Sequence, residues 1–117
     1  MPDTRRALGD RGEEVAAALL LARGIAVVAR NARTRFGELD LVGRDGQGWV
    51  FVEVKTRRST SFVSAVEAVD RRKLARLAVL AESWLALRGQ RADPWRLVVL
   101  ALTVGPEGMR AESIEPG

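Results

Sequence analysis

The sequence predicts an α/β fold with one mixed β-sheet flanked by helices, in the order α-β-β-β-α-β. Three observations carry that expectation. Leu74, Leu77, Ala78, Ala81, Trp84 and Leu85 recur at three- and four-residue steps, the spacing of one buried helix face. Two apolar runs flank Asp45-Gly46-Gln47-Gly48, whose Asp-Gly pair and second glycine suit a β-hairpin turn. Leu97 to Val104 is continuously apolar, as in a strand covered on both faces.

The elements follow in order. Glu13 to Arg23 is dense in good helix formers and is followed by Gly24, a suitable C′ residue. Pro2-Asp3-Thr4 offers an N-cap, while Gly9 and Gly12 weaken the interior, so one bent helix or two short ones are both compatible with the pattern. Ile25 to Ala29 reads as a strand, and Arg30 to Arg35 as a basic connection. The hairpin strands are Phe36 to Arg44 and Trp49 to Thr56. Thr56 to Val69 is expected to be loop-like, with Ser64 and Glu67 spaced as a capping box. Asp70 is placed to cap the second helix, which Gly89 ends, and Asp93-Pro94 breaks the chain before the last strand. Beyond Gly105-Pro106 little apolar material remains. The expected organisation is one domain over 1–104 and a weakly structured tail over 105–117.

Composition narrows the chemistry. The chain has 117 residues, of which 47% are hydrophobic and 29% charged, and no apolar run is long enough for a membrane span. Arg5, Arg6, Asp10 and Arg11 interrupt any secretory-type leader, so a cytoplasmic location is expected. Without Cys or His, a thiolate or imidazole zinc site, a cysteine nucleophile and a Ser-His-Asp triad are all excluded. Carboxylate, Lys, Arg and hydroxyl groups remain, with a hard cation such as magnesium or manganese as the metal that suits them. Residues 1–104 hold 18 basic and 12 acidic groups, against 19 and 15 in the whole chain, so the folded part is the more basic. All but two of the basic residues are Arg, whose planar fork suits phosphate, although genome composition or heat adaptation produces the same bias.

An even hairpin loop centred between Gly46 and Gln47 pairs Asp40 with Glu53 and Glu38 with Lys55. Opposed residues of an antiparallel pair share a face, so all four are expected to project together. A shift of one residue would send Asp40 and Glu53 to opposite faces. Phe36, Val42, Trp49 and Phe51 share the charged face, and Leu39, Leu41, Val50, Val52 and Val54 the other, which places the acids at a core margin rather than on a solvated sheet. Two acids there repel unless a cation neutralises them. Asp40 and Glu53, with the Val54 carbonyl, form a candidate Mg2+ or Mn2+ site, and Lys55 is placed to orient water or stabilise charge on a phosphate oxygen. Arg33, Arg35, Arg57, Arg58, Arg71, Arg72, Lys73 and Arg76 surround this hairpin as candidate contacts to a polyanionic backbone. Trp49 and Trp84 read as core residues and the hairpin glycines as turn residues.

Asp40 followed by Glu53-Val54-Lys55 resembles the PD-(D/E)XK nuclease signature. Gly12-Glu13, Arg30-Asn31, Gly37-Glu38-Leu39-Asp40-Leu41, Phe51 to Arg57, Lys73 and Trp84-Leu85 extend the likeness over residues 8 to about 104, where the chain is similar to the YraN family of small bacterial proteins. That resemblance implies a restriction-endonuclease-like fold, with Asp40 and Glu53 as metal ligands, Lys55 as the catalytic lysine and Glu13 as a helix-borne acid completing the site. Glu14 lies about 100° around the helix and is the alternative to Glu13. The nominal Pro is replaced by Leu39, and Leu97-Val98 stands where many relatives are expected to carry an acid. By the same resemblance the expected activity is metal-dependent cleavage of DNA, branched or nicked, by a homodimer. The competing expectation is a non-catalytic nucleic-acid-binding module on the same fold.

Overall fold

Helix α1 spans Thr4–Ala22 and is followed by strands β1 (Ala26–Thr34), β2 (Gly37–Asp45) and β3 (Gly48–Arg58). Helix α2 (Arg71–Leu87) then leads to β4 (Trp95–Gly105) and β5 (Gly108–Ile114). The computed structural model describes residues 4–58 and 70–116, with side chains from Leu8 onward. The proposed capping box at Ser64 and Glu67 lies outside the described residues.

The helix boundaries follow the chain chemistry. α1 is one continuous helix despite Gly9 and Gly12. At its end Gly24 takes φ 80°, while Gly24 N–H donates to Leu21 and Ile25 N–H to Leu20. That pair of bonds is a Schellman closure, and Ile25 packs beside Leu20 in the core. α2 starts on Asp70, whose carboxylate accepts from Lys73 N–H at 2.8 Å, and ends with Gly89 at φ 69° and Gln90 N–H bonded to Leu85. Gly12 has a packing reason: a Cβ there would meet the Thr56 hydroxyl, so α1 approaches β3 closely at this point.

All five strands form one sheet in the order β1-β2-β3-β4-β5, antiparallel except for the parallel β3-β4 pair. The parallel pair is where α2 serves as the crossover. Leu77, Leu80, Ala81, Trp84 and Leu85 of α2 pack with Trp49 and Phe51 on one sheet face. Ala16, Ala17 and Leu20 of α1 pack with Leu41, Val50, Val52 and Leu100 on the other. Trp49 and Trp84 are core residues, their rings 5.1 Å apart edge to face.

Three sequence expectations need correction. Arg30 to Arg35 is mostly strand, since β1 continues to Thr34 and only Arg35-Phe36 forms the turn. The order has an additional strand, because residues 108–114 pair with β4 from Val104↔Met109 to Val99↔Ile114. An edge strand is held largely by ladder hydrogen bonds and needs little apolar burial, so its polar composition conceals it.

The third correction concerns face alternation. The β2-β3 register matches the even-loop expectation from Asp45↔Gly48 to Leu41↔Val52, and there the ladder stops. In the β1-β2 ladder Arg30↔Leu41 is followed by Ala32↔Leu39, and between them Asn31 adopts φ 49°. Leu39 and Val42, three residues apart, consequently pack in the same α2-side cluster, while Leu41 faces α1. A regular strand cannot do this, because its side chains alternate with period two. The phase slips at Asn31 and Asp40, so Leu39 does not share the Leu41 face and Glu38 does not share the Glu53 face.

Candidate active site

Asp40 sits at the slip, where β2 parts from β3. Its Oδ2 accepts from the Val54 N–H at 2.8 Å, replacing a bond that the interrupted ladder leaves unmade. Burial pushes its carboxyl up to about 6 from an ordinary 3.8, and the Glu53 and Glu13 charges push the same way. The Val54 bond opposes the shift, and the Lys55 ammonium opposes it less than either acid drives it. Glu53 belongs to the α2 face and Glu13 to α1. A carboxylate placed in the sheet seam is influenced by both.

Glu53 is half-buried and is reached by two ammonium groups, Lys73 at 3.2 Å and Lys55 at 3.7 Å. Lys73 enters from the first turn of α2, which Asp70 orients by capping. Competition with the adjacent Lys73 amine, followed by burial, holds Lys55 below the usual lysine range. Lys73, expected among the surface phosphate contacts, therefore lies inside the acid-lysine cluster. Its signal in the sequence was its place in the first turn of a helix capped by Asp70.

The two candidate helix acids separate clearly. Glu13 is half-buried, and its carboxyl is raised by burial and by the charges of Asp10 and Glu38. Glu14 is exposed and paired with Arg30. Glu38 lies 3.8 Å from Arg33 across β1 and influences Glu13, so it stands on the α1 side instead of opposite Lys55.

Arg57 and Arg58 close β3, Arg71, Arg72 and Arg76 lie on the first turns of α2, Arg33 lies near the end of β1 and Arg35 in the β1-β2 turn. Antiparallel pairing of β2 with β3 brings that turn to the same sheet end as the close of β3. The basic residues of the strands thus lie toward the sheet end at which β2 and β3 part. Among the described residues no group of three acids could hold a metal ion. None of the described helices is long and apolar enough to cross a membrane.

Two archaeal structures match the chain. A repair endonuclease from Pyrococcus abyssi matches 80% of this chain and 38% of its own, with 17% identity and a TM-score of 0.42. SfsA from Pyrococcus furiosus, solved in complex with Ca2+, matches 97% of this chain and 63% of its own, with 18% identity and a TM-score of 0.42. The chain therefore spans less than two thirds of either structure. Sequence relatives cover much more of their length. The UPF0102 protein of Symbiobacterium thermophilum is 46% identical over 103 residues, 88% of this chain and 87% of the relative. That of Beutenbergia cavernae is 53% identical over 96 residues, 82% of this chain and 81% of the relative. With residues 12–102 also matched by the family model, the chain belongs to UPF0102, the YraN family, described as an uncharacterised protein family.

Proposed function

We propose that the protein is a divalent-metal-dependent nuclease that hydrolyses phosphodiester bonds in DNA. The observation that carries this reading is Asp40: a carboxylate in the sheet seam, raised to about 6, with two further acids acting on it and a backbone N–H fixing one oxygen. A group selected only for stability would have a cationic partner there.

The residues fit magnesium or manganese. Mg2+ keeps several of its waters and is satisfied by one or two carboxylates. Asp40, Glu53 and the Val54 carbonyl would hold it, while Glu13 adds negative charge from α1. When bound, the metal would polarise the phosphoryl group and lower the pKa of a coordinated water. Lys55 and Lys73 keep positive charge beside Glu53, where charge develops on a phosphate oxygen as the water oxygen bonds to phosphorus and one ester bond breaks. Arg33, Arg35, Arg57, Arg58 and Arg72 surround this place and suit a phosphate backbone.

A second reading is a nucleic-acid-binding module without catalysis. It is favoured by the absence, among the described residues, of a three-acid metal cluster. One experiment separates the two: cleavage of linear, nicked, flapped and four-way DNA in Mg2+ and Mn2+, with Glu53→Gln as control. The nuclease reading expects cleavage that the variant loses, together with a metal-dependent rise in wild-type Tm. Uncut DNA that is nonetheless bound supports the module.

A further inference from the structure

We propose that Phe36 is a stacking platform for an unpaired base, so that the preferred substrate exposes one within a few nucleotides of the phosphate at Asp40. This inference rests on the nucleic-acid reading above and specifies its substrate class.

Phe36 is 56% exposed, whereas Phe51, Trp49 and Trp84 are buried in the core. It occupies the second position of the two-residue β1-β2 turn, and the turn is firmly built. Thr34 Oγ1 accepts from Phe36 N–H at 3.1 Å and donates to Gly37 O at 2.8 Å. Gly37 takes φ 147°, and a Cβ there would lie within 3.3 Å of both Arg76 and Leu80, so the base of the turn is seated on α2. The ring is thus presented to solvent by a backbone with little freedom. A preorganised aromatic loses little entropy on binding.

Three guanidinium groups stand near it, one of them, Arg33, paired with Glu38 at 3.8 Å. The Arg35 guanidinium lies 5.4 Å from the Phe36 ring centroid, Arg76 ends against Gly37, and Arg33 lies on the paired strand. An exposed ring among guanidinium groups combines a π-face for a base with charge for the flanking phosphates. A protein-docking patch would instead extend the apolar surface, but the next residue on β2 is Gly37 and the one after it the charged Glu38. Phe36 and Asp40 are four residue steps apart, about 13 Å at strand rise. That is roughly four stacked nucleotides.

The test is equilibrium binding to two DNA probes carrying 2-aminopurine, one in a four-nucleotide gap and one within an intact duplex. Ca2+ replaces Mg2+, since its looser coordination does not reproduce magnesium's octahedral demand. Phe36→Ala is expected to bind the gapped probe about tenfold more weakly and to lose the fluorescence quenching, while intact-duplex affinity is unchanged. Phe36→Trp is expected to retain both. Equal binding and quenching by wild type and Phe36→Ala would overturn the stacking role while leaving nucleic-acid binding intact. No binding of either probe by folded wild-type protein would overturn the underlying reading as well. A change confined to sedimentation would reassign Phe36 to self-association and overturn the proposal.

Discussion

At the closed end of the β2-β3 hairpin, Asp45 accepts from Gln47 N–H at 2.8 Å and from Arg96 Nη2 at 2.8 Å. The Arg96 hydrogen bond holds its carboxyl below the ordinary range and raises Arg96 in turn. Beside it, Trp49 Nε1–H donates to Asp93 at 3.1 Å, and Arg44 stacks on the Trp49 ring at 4.4 Å. At the open end of the same hairpin, burial raises Asp40 to about 6, and the Glu53 and Glu13 charges outweigh the Lys55 ammonium. One short hairpin therefore contains an acid fully compensated by the fold and another left in electrostatic conflict. Mutually supporting contacts characterise parts that only hold shape, and conflict that persists in a folded protein points to a ligand that relieves it.

The strongest way to break this contrast is at Glu53. Glu53→Gln is expected to lower a metal-dependent cleavage rate by about a hundredfold or more while leaving the melting temperature close to wild type. Rates and Tm measured on one preparation check it, and retained cleavage would remove Glu53 from the site. Gly12→Ala tests how the open end is assembled. The added methyl meets Thr56, so a loss of about 1–3 kcal/mol is expected in urea unfolding, with partial recovery when Thr56→Ala is added.

Arg96→Ala probes the closed end. Removing the partner of the half-buried Asp45 is expected to cost about 1 kcal/mol, read from the urea midpoint, with cleavage unchanged. Asp40→Asn gives the opposite sign. The folded state holds the Asp40 proton up to about pH 6, whereas the unfolded chain releases it near 3.8. Wild-type stability consequently falls as pH rises through that window. The variant is expected to gain on the order of 1 kcal/mol at pH 7.5 after solvent screening, and nothing below pH 4. Thermal melts at the two pH values check it, and destabilisation at pH 7.5 would show that Asp40 is well compensated.

The contrast itself was only partly legible in the chain. Asp-Gly-Gln-Gly sets the hairpin register through Leu41↔Val52, because a two-residue loop leaves no slack in the pairing. The caps at Asp70, Gly24 and Gly89 were equally readable, since each rests on a bond made within a few residues. The slip at Asn31 and Asp40 was not. Simple alternation assigns Leu39 and Leu41 to one face, and the departure is visible only where β1, β2 and α2 pack together.

From sequence alone came the second helix with both its ends, the close of the first, the hairpin register, the acid-lysine spacing and the exclusion of thiol and imidazole chemistry. These depend on composition and on contacts between near neighbours. Tertiary structure decided that β5 joins the sheet edge, that Glu13 rather than Glu14 acts on Asp40, that Lys73 reaches Glu53, and that Phe36 projects outward. Each of these sets side by side groups distant in the chain, and a local pattern contains no term for how two faces meet.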